Sequence, residues 1–196
     1  MPVKKIKAVF QLHVSLVDID PPIWRSVQVL EDMKLSRLHR VFQMLFNWED
    51  YHLHDFRVGG RIYSVPDPDD AWNERTVVDE RVVPLQRIVE RVGDTFEYLY
   101  DFGDEWRHKV LLEAILLPGP DAIYPRCVAG ARNGPPEDAG GPYGYADYLQ
   151  AVADPRHEDH KEKLAWRGRW DPEAFSIDVV NRSLSKAFQR RGRSAS

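Results

Sequence analysis

The chain has 196 residues, of which 43% are hydrophobic and 30% are charged, and its formal net charge is −4. This composition is typical of a globular protein, and a chain of this length buries about 70% of its unfolded surface on folding. The negative net charge argues against nucleic-acid binding over the whole surface, although a local basic patch is compatible with it. A single cysteine, Cys127, excludes an intramolecular disulfide and favours a reducing compartment.

The sequence contains neither a membrane span nor a secretion signal. No stretch approaches the about 20 consecutive apolar residues that cross a bilayer, and the first residues run into an alternating polar pattern without the apolar core of a signal peptide. We therefore expect a cytoplasmic protein that makes no membrane contact.

The first part of the chain predicts two strands followed by a helix. Apolar and polar residues alternate over residues 6–16, which is the period of a half-buried strand. A turn with two prolines at residues 18–22 leads into a return strand rich in Val and Ile, residues 23–30. Over residues 35–46 apolar residues recur at helical spacing. Together these elements predict a ββα unit.

The middle of the chain predicts four further strands and one short helix. The predicted strands are residues 52–58, 61–65, 96–100 and 106–117, and a Gly-Gly pair joins the first two in a hairpin. Residues 66–81 are acidic and aperiodic, which indicates an exposed loop. Pro84 suits the first position of a short helix through residue 92, and Gly93 suits its end.

The last part of the chain changes character. Residues 118–144 contain six Pro and six Gly, which predicts an irregular loop. Short helices are predicted at residues 145–152 and 157–166, and Asp171-Pro172 is predicted to start a last helix. We predict one domain, residues 1–188, followed by a basic, disordered tail, residues 189–196. Its fold class is α+β, with a mainly antiparallel sheet packed against helices and covered by the Pro/Gly-rich loop and the C-terminal helices.

A series of motifs resembles the plasmid pRiA4b ORF-3-like family over nearly the whole chain. The resemblance is densest in the run of aromatic and acidic residues at 100–106, followed by His108. The matching motifs are Pro-Pro-Ile-Trp-Arg at 21–25, Leu-His at 38–39, Trp48, His-Leu-His-Asp-Phe at 52–56, Tyr-Asp-Phe-Gly-Asp-Glu-Trp at 100–106, Tyr-Pro-Arg-Cys at 124–127, Pro-Pro-Glu-Asp at 135–138, Gly-Gly-Pro-Tyr-Gly-Tyr at 140–145, and Asp-Pro at 171–172 with Phe175 and Asn181.

The resemblance implies an origin on plasmids or other mobile elements, but no established biochemical activity. Some family members carry a transposon-resolvase label, which implies resolvase-type DNA recombination as one function. The residues support this weakly, because Ser15 lies within a predicted strand and Arg25 and Arg37 are its nearest basic candidates. The family also carries cysteines where this chain has Gly134 and Ala139, so a cysteine-based metal site is not expected here.

Histidines and aspartates near the predicted hairpins form a candidate metal site. Residues two apart on a strand face the same side, so His52 and His54 are predicted to converge on one ion. Asp104, with Asp101 in the same turn, and His108 just beyond it complete the set. Imidazole and carboxylate ligands suit a divalent transition metal such as Zn, Mn or Fe. The alternative is that the aspartates cap a tight turn through backbone N–H groups.

A second set of residues is a candidate ligand-binding groove. Aromatic side chains with arginine and acids suit the binding of a peptide, a nucleic acid or a small ligand, although aromatic residues more often serve the core. The aromatic residues predicted to line the groove are Trp24, Trp48, Tyr51, Trp106, Tyr143 and Tyr145. Glu137 and Asp138 suit an acid/base pair, or the capping of a helix that begins near Tyr143. The candidate ligand-binding residues are Trp24, Arg25, Trp48, Asp101, Trp106, Glu137, Asp138 and Tyr145.

The sequence supports three functional hypotheses. The favoured one is a non-catalytic binding or accessory domain of plasmid or mobile-element origin, with a groove between residues 101–108 and residues 137–145. The second is a metal-dependent hydrolase or nuclease that uses the histidine and aspartate cluster. Resolvase-type recombination is the third.

Overall fold

The computed structural model describes residues 6–67 and 76–189, and one sheet of eight strands runs through them. The order across the sheet is β5-β4-β3-β6-β7-β1-β2-β8, and every pairing is antiparallel except β4 with β5. The predicted α+β class with a ββα start is confirmed. The strands are β1 Val9–Leu16, β2 Trp24–Leu30, β3 His54–Val58, β4 Arg61–Ser64, β5 Val77–Asp79, β6 Thr95–Tyr100, β7 Trp106–Leu116 and β8 Arg126–Ala131.

Four α-helices accompany the sheet in the described ranges: α1 Leu35–Phe46, α2 Gly141–Ala153, α3 His160–Arg167 and α4 Ile177–Gln189. Helix α1 buries the apolar stripe that its spacing predicts, and it ends at Asn47, whose φ of 61° is left-handed. Phe42 of α1 packs edge-on against Tyr98 of β6, with ring centroids 5.0 Å apart. The core therefore lies between α1 and the middle strands of the sheet.

Two short strands lie where the sequence predicted loops. Strand β5 falls within the predicted loop at 66–81, because Val77 and Val78 pair in parallel with Ile62 and Tyr63 at the edge of the sheet. Strand β8 falls within the Pro/Gly-rich segment and pairs with β2 at the other edge. Both predictions of irregular structure were wrong there, since pairing with a distant strand outweighed local composition.

Four predicted helices have different limits. Helix α3 runs from His160 to Arg167 rather than over residues 157–166. The segment after Pro84 forms only a 3-10 turn, Leu85–Arg87. Helix α2 begins at Gly141, because Pro142 fits the first turn of a helix and costs no hydrogen bond there. Helix α4 begins at Ile177 rather than at Asp171, whose carboxylate accepts a hydrogen bond from the Glu173 N–H in a separate turn.

Helix α4 covers the β8 edge of the sheet. The Asn181 side chain accepts a hydrogen bond from the Cys127 N–H (2.7 Å) and donates one to the Cys127 carbonyl (2.9 Å). Leu184, one turn further on, is fully buried. The amide of Asn181 therefore joins the helix to the edge strand, which protects the backbone groups of that edge.

The basic tail predicted at residues 189–196 lies outside the described residues except for Gln189, which ends α4. The single-domain boundary at residue 188 stays a prediction. Among the described residues, no helix combines the length and the apolar character needed to cross a membrane.

Candidate functional site

Three carboxylates from two separate segments surround the imidazole of His52. The Nε2 atom of His52 lies 3.0 Å from Asp138 Oδ1, 3.5 Å from Asp101 Oδ2 and 4.0 Å from Glu137 Oε2. His52 lies in the bend before β3, Asp101 follows β6, and the two other acids precede α2. We call His52, Asp101, Glu137 and Asp138 the His52 cluster.

In two of these carboxylates, hydrogen bonds hold one oxygen in place. The other oxygen is thereby directed at His52. Asp101 Oδ1 accepts hydrogen bonds from the N–H groups of Gly103 (2.9 Å) and Asp104 (3.2 Å), so the predicted capping of this turn is present. Its Oδ2 is the atom that faces His52. Such outer hydrogen bonds hold a ligand oxygen in a fixed pose before any ion arrives.

Glu137 is held in the same way by a different set of donors. Its Oε1 accepts the Glu49 N–H (2.7 Å) and the Tyr100 hydroxyl (3.1 Å), while Oε2 is nearest to His52. Burial, and then the adjacent Glu137 carboxylate, raise the pKa of Tyr100 above its ordinary value, so this phenol stays protonated and donates. Glu137 is thus a buried carboxylate with one oxygen directed at the cluster.

The spacing within the cluster matches a mononuclear metal site. One ligand atom each from His52, Asp101 and Asp138 can be chosen so that all lie within 4.8 Å of one another. Two atoms bound about 2.1 Å from one ion are about 3.0–3.4 Å apart at right or tetrahedral angles. The distances of 3.0 and 3.5 Å from His52 Nε2 are close to this range. The Asp138 side chain is 60% exposed, so one side of the site faces solvent.

The other predicted metal ligands lie elsewhere. Asp104 Oδ2 accepts a hydrogen bond from the Gly140 N–H at 2.9 Å, and it fixes the loop before α2 instead of facing His52. His108 is fully buried under the rings of Phe46 and Trp48. Its Nδ1 lies 3.0 Å from the Trp106 carbonyl, so this nitrogen carries the proton of the neutral ring.

His54 belongs to a second histidine group. Its ring stacks on that of His39 with centroids 3.5 Å apart and planes 4° from parallel. His54 Nε2 lies 2.9 Å from Glu80 Oε2, and His39 Nε2 lies 2.7 Å from Asp50 Oδ1. The other nitrogen of His39 is 2.7 Å from the Tyr98 hydroxyl. His39, Asp50 and Glu80 were not among the residues predicted to form a site.

The network around His39 is internally satisfied. Burial, and then the neighbouring His54, lower the pKa of His39 to about 4, so the ring is neutral. A neutral His39 donates to Asp50 and accepts from Tyr98, which in turn accepts from Gln43 Nε2 (3.1 Å). Because the His39 and His54 rings are parallel, their nitrogen lone pairs lie side by side and do not converge on one ion. This geometry favours a structural role over an ion site.

Three of the six aromatic residues predicted to line a groove lie in the core. Trp106 is fully buried, Tyr145 is 1% exposed and Trp48 is 6% exposed. Trp48 stacks on Tyr100 at 5.0 Å and donates from Nε1 to the Pro135 carbonyl at 2.9 Å. Trp24 is half-buried and stacks on His13. Of these rings, Trp48 lies next to the cluster, because it stacks on Tyr100, whose hydroxyl donates to Glu137.

The two segments predicted to border a groove, residues 101–108 and 137–145, are in backbone contact at one point. Gly141 has a φ of +69°, and a Cβ atom there would lie 2.3 Å from the Asp104 carbonyl oxygen. Only glycine permits this approach. The predicted capping of α2 by Glu137 or Asp138 is wrong: Gly140 is the cap residue, and it is held by Asp104.

Exposed apolar side chains flank the cluster in sequence. Tyr51 and Leu53, on either side of His52, are 69% and 72% exposed. Phe102 follows Asp101 and is 38% exposed, and Tyr143 in the first turn of α2 is 88% exposed. We call the three aromatic residues among them, Tyr51, Phe102 and Tyr143, the aromatic rim. Their side chains are accessible to solvent.

Arg25 lies in a different environment. It is 2% exposed and donates to the carbonyls of Leu45, Trp24 and Ala131. Its guanidinium carbon is 4.2 Å from the centroid of the Phe175 ring. Arg25 therefore joins β2, β8 and the end of α1, and it makes no hydrogen bond to the His52 cluster among the described residues.

Comparison with known proteins places this architecture in one family. The family model described as plasmid pRiA4b ORF-3-like protein matches residues 8–179. The uncharacterized protein y4hQ of Sinorhizobium fredii is 33% identical over 192 residues, which is 97% of each chain. The crystal structure of the protein of unknown function MM3350 from Methanosarcina mazei Go1 superposes with a TM-score of 0.78 at 35% identity, over 89% of this chain and 98% of that one. By sequence and by fold, the chain is a member of the plasmid pRiA4b ORF-3-like family.

Proposed function

We propose that this protein is a metal-dependent hydrolase whose divalent ion is held by His52, Asp101 and Asp138. The observation that carries the proposal is the approach of three carboxylates to a single imidazole nitrogen, at 3.0, 3.5 and 4.0 Å. Histidine and carboxylate ligands suit Zn, Mn or Fe. An ion with an open coordination position supplies an activated water, whose pKa falls to about 7 on zinc.

Glu137 suits the role of general base in this proposal. Its Oε2 is the cluster oxygen furthest from His52 Nε2, at 4.0 Å, and its other oxygen is held by Glu49 and Tyr100. A carboxylate fixed beside the ion but not bound to it can accept a proton from a water at the exposed side. The exposed Asp138 marks the side from which substrate would enter.

Metal binding is tested first. Protein without a His tag is stripped with chelator and titrated with Zn²⁺ and Mn²⁺ by calorimetry, and we expect about one equivalent to bind. Loss of an outer-shell partner typically weakens metal binding about 10–100-fold. We expect the His52→Gln variant to weaken metal binding by more than this, because it loses a direct ligand. His13→Gln is the matched control, because its side chain is 31% exposed against 30% for His52 and it faces one carboxylate, Glu113.

Hydrolysis is tested second, with a chromogenic phosphodiester, a carboxylic ester and single-stranded DNA as substrates. Turnover that needs the ion and is lost in Glu137→Gln, while the variant still binds the metal, is the expected result. Equal metal affinity in wild type and His52→Gln would overturn the metal site. Metal binding at His52 without turnover of any substrate class would overturn the hydrolase.

A non-catalytic binding domain of plasmid or mobile-element origin is the second candidate, and the aromatic rim favours it. Exposed Tyr and Phe side chains stack on bases or on peptide side chains without any chemistry. Binding of a peptide or oligonucleotide that is lost in Tyr143→Ala, with no turnover, would support this candidate. The cytoplasm is the compartment proposed for either function, in agreement with the lone Cys127.

Resolvase-type recombination has less support. Ser15 lies in β1 between Trp24 of β2 and Lys109 of β7, where sheet pairing holds its backbone on both sides. The Arg25 guanidinium donates to three backbone carbonyls. A covalent protein–DNA trapping assay tests this hypothesis, and we expect no trapped product.

A further inference from the structure

A cavity of about 470 Å³ lies between the end of α1, the loop after β8 and the start of α4. This volume is within the range of about 300–1,000 Å³ that holds small molecules in proteins. Its walls are mainly apolar, with Leu45, Phe46, Phe175 and Val180 among them, and Arg25 is the one charged residue among the described residues that line it. The cavity shares no lining residue with the His52 cluster.

Backbone contacts fix the walls of this cavity. A Cβ atom on Gly134 would lie 2.2 Å from the Phe46 carbonyl oxygen, so the loop after β8 packs directly on the end of α1. A Cβ atom on Gly130 would lie 2.6 Å from the Phe175 ring and 2.9 Å from Arg25 Cδ. The glycine in β8 therefore lets the Phe175 ring lie close to the arginine.

The Arg25 guanidinium in this wall is buried without an anionic partner. Its Nε donates to the Leu45 carbonyl at 2.9 Å, and one terminal nitrogen donates to the carbonyls of Trp24 (2.7 Å) and Ala131 (2.8 Å). Among residues 6–67 and 76–189, the other terminal nitrogen has no hydrogen-bond acceptor and no carboxylate forms an ion pair with Arg25. Two N–H donors of a cation are therefore unused.

The surroundings of Arg25 compensate its charge only in part. The Phe46 and Phe175 ring centroids are 5.2 and 4.2 Å from its central carbon, which is cation–π range. Burial nevertheless lowers the pKa of Arg25 to about 10. A buried cation normally has a charged partner, because leaving water is costly without one. A bound anion would supply that partner.

We propose that this cavity binds a small monocarboxylate with an apolar body. The carboxylate would accept a hydrogen bond from the unused nitrogen of Arg25, and the apolar part would pack against Phe46 and Phe175. A single charge fits better than a phosphate dianion, because the cavity offers one cation and most of its donors are already used. Phosphate sites usually draw on several donors or a bidentate arginine.

The test uses hexanoate as the probe, with the neutral hexanamide as its isostere and inorganic phosphate as the competing anion. Titrations are followed by NMR at the Arg25 side-chain N–H, in chelator-containing buffer so that the result is independent of metal. We expect saturable binding of hexanoate and at least about tenfold weaker binding of hexanamide, since charge-assisted hydrogen bonds are roughly twice as strong as neutral ones.

Two variants on one helix show whether the cavity is the site. Ser183→Phe places a ring in the cavity, and Ser185→Phe places the same ring on α4 outside the cavity lining. We expect Ser183→Phe to weaken hexanoate binding by at least about tenfold, and Ser185→Phe to bind as the wild type does. Both variants leave Arg25 in place, so the result does not depend on a fold that lacks this buried arginine.

Each other outcome overturns the proposal. Equal binding of hexanoate and hexanamide would show that Arg25 does not recognise an anion. Binding of phosphate but not hexanoate would assign the site to a different anion class. No saturable binding, or equal affinity in the two serine variants, would leave Arg25 as a purely structural link between α1 and the sheet.

Discussion

His108 and His39 make the stability of this fold depend on pH between neutrality and pH 4. Burial lowers the pKa of His108 to about 3, and burial followed by the neighbouring His54 lowers that of His39 to about 4. In the unfolded chain both imidazoles titrate near pH 6.5. The unfolded state therefore takes up protons at a pH where the native state does not. Stability is full above about pH 6.5 and falls as the pH drops toward the two native pKa values.

The size of this loss follows from the two pKa differences. Between pH 7 and pH 5, an imidazole that titrates at 6.5 when unfolded and stays neutral when folded removes about 2 kcal/mol from the free energy of unfolding. His39 and His108 together remove about 4 kcal/mol over that interval. This is a large share of the about 5–15 kcal/mol that stabilises an ordinary domain, so urea denaturation followed by tryptophan fluorescence resolves it.

The His108→Asn variant isolates one of the two residues. Its amide N–H can still donate to the Trp106 carbonyl, as His108 Nδ1 does at 3.0 Å, but it does not titrate. We expect its loss of stability between pH 7 and pH 5 to be smaller than that of the wild type by about 2 kcal/mol. Val110→Ala, at the next fully buried position of β7, is the control: it is expected to lower stability equally at both pH values.

The opposite result is clear-cut. If His108→Asn and wild type lose the same free energy of unfolding between pH 7 and pH 5, then His108 is not held neutral in the native state. Titrating carboxylates contribute to both proteins alike, so they cancel in this comparison. A reduced loss in Val110→Ala would show that destabilisation alone alters the pH dependence.

Local periodicity was sufficient to predict the centre of the fold. The alternation in β1 survives because this strand pairs on both sides, with β2 and β7, and its apolar side chains are buried in the core. Strand β8 was missed because its stability is not local. It pairs with β2, and Asn181 of α4 holds its backbone through two hydrogen bonds. Composition alone gives no indication of that distant contact.

The sequence predicted only part of the candidate site, for a similar reason. His52 was identified, but His54 was grouped with it on the assumption that both lie on one strand. In the structure β3 begins at His54 and His52 precedes it in a bend, so the two side chains have different neighbours: Asp138 for one and Glu80 for the other. Asp101 and Asp138 reach His52 only through tertiary folding.

Glycine positions reveal how the loop that carries Glu137 and Asp138 is placed. The segment passes so close to the turn after Asp101 that no side chain fits at Gly141. In the sequence this glycine pair stands out only as part of a family motif. The structure instead shows that Gly140 and Gly141 bring two chain segments into contact, and the His52 cluster lies where they meet.

Two further substitutions test the packing that positions the site. Leu184→Ala removes a fully buried side chain of α4 and is expected to cost about 2–5 kcal/mol in urea unfolding; a cost below about 1 kcal/mol would show that α4 does not anchor on the sheet. Gly141→Ala combines a φ of +69° with a Cβ 2.3 Å from the Asp104 carbonyl oxygen. Gly93→Ala is its control, because it has a φ of +99° and nothing within 4 Å. The control carries only the backbone strain, about 1–2 kcal/mol, whereas Gly141→Ala must also displace the loop before α2. We therefore expect Gly141→Ala to lose more stability than Gly93→Ala and to weaken Zn²⁺ binding, which the control retains. Equal losses and equal affinities would mean that the contact between the two segments does not position the ligands.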